Sequence, residues 1–151
     1  MIIKDYQLIN SINSESFQSF LIYGSNEGLV RENIDIILKN FSGGTECEKV
    51  NINGKQLDES ISLLNDEIST ISLFNEKKFI VLESIKEKHT SLIEDALSLN
   101  VKNTCMIIKQ DNLTKSSKIR KLFETSKIHF SLACYDDDIK VHSSLLEKFQ
   151  K

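Results

Sequence analysis

Apolar positions along the chain switch between two periodicities. Phe20-Leu21-Ile22-Tyr23 is an unbroken apolar run of strand length, which fits a strand covered on both faces. Val30, Ile34, Ile37, Leu38 and Phe41 then recur at helical spacing, and Gly43-Gly44 is placed to stop that helix. From Glu48 to Ile52 polar and apolar residues alternate, and Asn53-Gly54 reads as a turn. Leu57, Ile61, Leu64, Ile68 and Ile71 form one further helical stripe. Phe79-Ile80-Val81-Leu82 is a second buried-type strand, and Cys105-Met106-Ile107-Ile108 a third. Between them Leu92, Ile93, Ala96, Leu97 and Leu99 predict a helix beginning near Ser91. Ile119, Leu122 and Phe123 mark a helix face, Ile128, Phe130 and Leu132 alternate as in a strand, and Val141, Leu145, Leu146 and Phe149 predict a last helix.

Strands that alternate with helices imply βαβ units and an α/β fold with a parallel sheet. The continuous apolar strands near 20–23, 79–82 and 105–108 belong in its centre. The alternating strands near 48–52 and 128–132 belong outside. Both a 5-1-4-3-2 order and a 2-1-3-4-5 order meet this condition, and the pattern does not choose between them. The last stripe runs to the final residue without a stop signal, so the expectation is a domain over 1–140 and, over 141–151, the start of a helix leading to a following domain.

The chain has 151 residues, enough for one domain with a core, and a balance of 40% hydrophobic and 27% charged residues that suits a soluble globular protein. A net charge of −3 supplies no general attraction to nucleic acid or to an acidic membrane. Contact with DNA would need a local basic face. No apolar run is long enough for a membrane span or a signal segment. Cys47, Cys105 and Cys134 are odd in number and widely spaced. That argues against a disulfide framework and for the reducing cytoplasm. The three histidines lack metal-ligand spacing, and no metal or cofactor is expected.

Gly24 follows the first strand and opens a helix, where a phosphate loop would sit. Counting from Gly24, however, Leu29, Val30 and Arg31 stand where that loop needs its second glycine, lysine and hydroxyl. Glu27 would also repel a phosphate. The plain alternative, a strand-to-helix turn without ligand, is the better reading. Glu83 at the end of its strand imitates a magnesium ligand but lacks a phosphate loop to serve. Asp136-Asp137-Asp138 more commonly caps a helix, through Asp137 or Asp138, than binds a metal. No nucleophile, base and orienting acid assemble, so no catalytic residue is expected. Lys115, Lys118 and Lys121 are placed on one helical face, with Arg120 and Lys127 nearby. A solvated face is the bland reading, and contact with DNA or a neighbouring subunit the functional one. Leu73 and Phe74 are core by default. Yet the stripe before them is complete at Ile71, and two adjacent large side chains direct one outward.

Three stretches together carry a resemblance. "FLIYGSNEGLVRENI" has an apolar strand, Tyr-Gly, an acid and a leucine before a helix. "SLFNEKKFIVL" has Leu-Phe, polar residues, a basic pair and an apolar strand. "QDNLTKSSKIRKLF" has Asp, Leu and a Lys-x-x-Lys spacing. In this order they resemble the delta subunit of bacterial DNA polymerase III, over essentially the whole chain and through several short motifs. The resemblance implies an AAA+-like fold, hence the 5-1-4-3-2 order, with a degenerate phosphate loop. It implies the N-terminal domain of a clamp-loader subunit that does not itself hydrolyse ATP. Such a subunit binds the sliding clamp and opens the ring for loading onto primed DNA. The implied partners are the clamp and the other clamp-loader subunits. The implied clamp-binding residues are Leu73 and Phe74, with Ser72 shaping the turn. The alternative is a nucleotide-binding or phosphotransfer α/β domain, or an α/β scaffold in which Leu73 and Phe74 are buried.

Overall fold

The computed structural model describes residues 1–70 and 77–136. Five strands, β1 (Gln18–Tyr23), β2 (Cys47–Asn53), β3 (Lys77–Glu83), β4 (Thr104–Gln110) and β5 (Phe130–Ala133), form one sheet in the order β2-β3-β4-β1-β5. All pairings are parallel. Of the two orders left open by the pattern, this is 5-1-4-3-2. Every residue of β1 is buried, and β4 and β3 are nearly so, whereas β2 alternates with solvent. The apolar runs therefore sit in the centre, where both faces of a strand are covered.

Successive residues of a strand feed opposite faces. Leu21, Tyr23, Ile80, Leu82, Met106 and Ile108 form one core with residues of α3 (Gly54–Glu59), α4 (Leu63–Ser69), α5 (Thr90–Leu99) and α6 (Lys118–Thr125). Phe20, Ile22, Phe79, Cys105 and Ile107 form the other, against α1 (Leu8–Ser11) and α2 (Glu27–Ser42). The result is three layers. Asn26 caps α2 by accepting from the Leu29 N–H, and Gly43, at φ 60°, ends it.

Local expectations differ from the structure in three places. The stripe from Leu57 to Ile71 is not one helix: α3 ends at Ser60, which is extended, and α4 starts at Leu63. Ser60 and Ser62 compete for backbone hydrogen bonds and weaken a continuous helix. Ile61 between them is 73% exposed instead of buried. Asn53-Gly54 is not a turn but a helix start. Asn53 accepts from the Gln56 N–H, and the Gln56 side chain accepts from the Asn53 N–H, each at 2.9 Å. Gly54 is required there because a Cβ would lie 2.3 Å from the Ser84 carbonyl oxygen. Finally, β5 starts at Phe130, and Ile128 is 62% exposed while His129 and Ser131 are buried. Ser131 bonds the Met1 carbonyl and the Ile3 N–H, so the first residues cover what would be a bare sheet edge. The expected last helix and the boundary near 140 lie outside the described residues.

Candidate functional site

In an all-parallel sheet, one end collects the strand C-termini and the loops that a nucleotide would use. Gly24 stands there, at φ 140°, a conformation that suits glycine. The Gly24 N–H donates to the Asp111 carbonyl at 2.7 Å, and the Asn26 N–H donates to the Cys134 carbonyl at 3.0 Å. A Cβ on Gly24 would lie 2.0 Å from that same Cys134 oxygen. Two amides of the turn are thus bonded within the chain, and the backbone leaving β5 fills the space beside the glycine. Asn26 Oδ1, itself an acceptor, lies at the first turn of α2. The turn is built to close on protein backbone.

The lysines of the basic helix are all exposed, but they do not share one helical face. Lys118 is the first residue of α6 and Lys121 lies one turn on, while Lys115 sits in the preceding turn. The helix starts late because Ser117 caps it, accepting from the Arg120 N–H at 3.2 Å. Glu87 crosses from the turn before α5 and accepts hydrogen bonds from the Ser117 hydroxyl, at 2.9 Å, and from the Lys118 N–H. A carboxylate therefore already occupies the N-terminus of α6. Arg120 is not part of an exposed basic face. It donates to Glu124 at 2.9 Å and to the Leu113 carbonyl at 2.8 Å, and lies 5.3 Å from the Tyr23 ring centre. Glu83 is half-buried beside Lys109 Nζ at 3.8 Å. No group of three or more potential metal ligands occurs among the described residues.

Ser72, Leu73 and Phe74 lie outside the described residues; the structure describes the chain on either side of them. It leaves from the end of α4 at Thr70 and returns at Lys77, the first residue of β3. That is the strand N-terminal end of the sheet, opposite Gly24 and about 20 Å away along β3 at roughly 3.3 Å per residue. Lys77 Nζ donates to the Phe41 carbonyl at 2.8 Å, at the C-terminus of α2. Lys78 is 4% exposed, and its Nζ donates to the carbonyls of Thr70, at 2.7 Å, and of Glu67. Carboxylates of Glu48 and Glu67 stand 3.6 Å from the same nitrogen. Sequence reading took Lys78 only as half of a basic pair. Its role depends on strand register, which sets Glu48 opposite Lys78.

A three-layer domain with an all-parallel 2-3-4-1-5 sheet and a glycine turn between β1 and its helix is AAA+-like. A family model described as "DNA polymerase III, delta subunit" matches residues 20–132. A curated relative named "Probable DNA polymerase III subunit delta", from Rickettsia prowazekii (strain Madrid E), is 26% identical over 149 residues. That alignment covers 96% of this chain and 43% of the relative, so the chain spans less than half of that protein's length. The chain belongs to the DNA polymerase III delta-subunit family. Among the described residues, no helix is long and apolar enough to cross a membrane.

Proposed function

We propose that this chain is the clamp-binding domain of a clamp loader. It grips a ring-shaped sliding clamp through Leu73 and Phe74 and favours the open ring that is loaded onto primed DNA. The supporting observation is the anchoring of the two ends of segment 71–76. Eight residues of extended chain reach about 26 Å, yet the side chain of Lys78 alone joins its own strand to the Thr70 carbonyl. The segment therefore has more chain than it needs to connect α4 with β3, and the family match encloses it. The surplus suits presentation of an apolar pair to a partner at the end of the sheet away from Gly24.

Burying two large apolar side chains is worth about 3–6 kcal/mol in total, at roughly 1.5–3 each. Moving a ring from 1:99 to 99:1 in favour of opening requires about 5.5 kcal/mol of differential affinity. The pair is thus of the right scale to shift the clamp when its pocket is best formed in the open ring. Binding alone performs this step. Hydrolysis of ATP falls to other subunits of the loader, a division supported by the internally bonded turn at Gly24.

The test replaces both residues, Leu73→Ala with Phe74→Ala. Clamp capture measured by surface plasmon resonance should be abolished, with the unfolding temperature nearly unchanged. A loss of several kcal/mol of folding stability, as for core truncations, would mean that the pair is core and not an anchor.

A further inference from the structure

We draw no further inference here: the strongest candidate, the surface patch of exposed apolar side chains Ile2, Tyr6, Ile9 and Ile128 on the β5 side of the sheet, carries none because nothing in the structure shows what covers it.

Discussion

Lowering the pH should destabilise this domain through one histidine. His129 is 4% exposed, and its Nδ1 accepts the Ser19 N–H at 3.0 Å. That bond requires an unprotonated Nδ1, so the ring is neutral with its proton on Nε2. Phe17 packs edge-on to it at 5.6 Å and Phe123 lies at 6.4 Å. Burial, with a smaller contribution from the nearby amino terminus, lowers its pKa from 6.5 to about 4. The folded state therefore disfavours the proton, and the unfolded chain binds more protons between pH 6.5 and 4. Stability contributed by the neutral ring is complete above 6.5 and falls as pH drops toward 4. Proton linkage puts the loss at about 1 kcal/mol by pH 6, about 2 by pH 5 and about 3 near pH 4. Carboxylates titrate in the lower part of the same window, so the assay needs a reference. His129→Asn keeps an oxygen able to accept the Ser19 N–H and does not titrate. Urea unfolding of wild type and His129→Asn from pH 7 to 4 should give curves that converge or cross as the wild type loses its advantage. Parallel curves from pH 7 to 5 would refute the reasoning.

Gly24→Ala should cost about 3 kcal/mol or more, read by chemical denaturation, because the new Cβ meets the Cys134 carbonyl and the backbone is held at φ 140°. ATP with magnesium should leave the unfolding temperature unchanged, since a ligand at about 100 times its dissociation constant would add roughly 2.7 kcal/mol; a clear rise would defeat the proposal for the Gly24 turn. Reversing the charge of Lys115 or Lys121 should keep stability within about 0.5 kcal/mol while weakening a salt-dependent contact of the assembled loader with DNA or a neighbouring subunit. Wild-type salt dependence in such variants would leave these lysines merely solvated.

Much of the architecture was legible in the chain itself. Four-residue apolar runs at 20–23, 79–82 and 105–108 can be satisfied only where both strand faces are covered, and these became the central strands. The stop at Gly43 was equally local, because a left-handed residue without a Cβ ends a helix whatever surrounds it. The family emerged from the order of short motifs. Much of what the chain did not reveal depends on residues far apart in sequence. The apolar pattern by itself left two strand orders open, since both bury the same runs; the resemblance chose 5-1-4-3-2, and the strands pair in that order. The split between α3 and α4 turned on two serines that the apolar stripe passes over. The basic face lost Arg120 to Glu124 and the ring of Tyr23, and lost Lys115 to the turn before Ser117. The closing of the Gly24 turn by Cys134, more than one hundred residues on, and the burial of Lys78 between Glu48 and Glu67 are products of packing and register. Local pattern decides which residues seek the interior; only the folded chain decides which carbonyl or carboxylate each buried polar group will meet there.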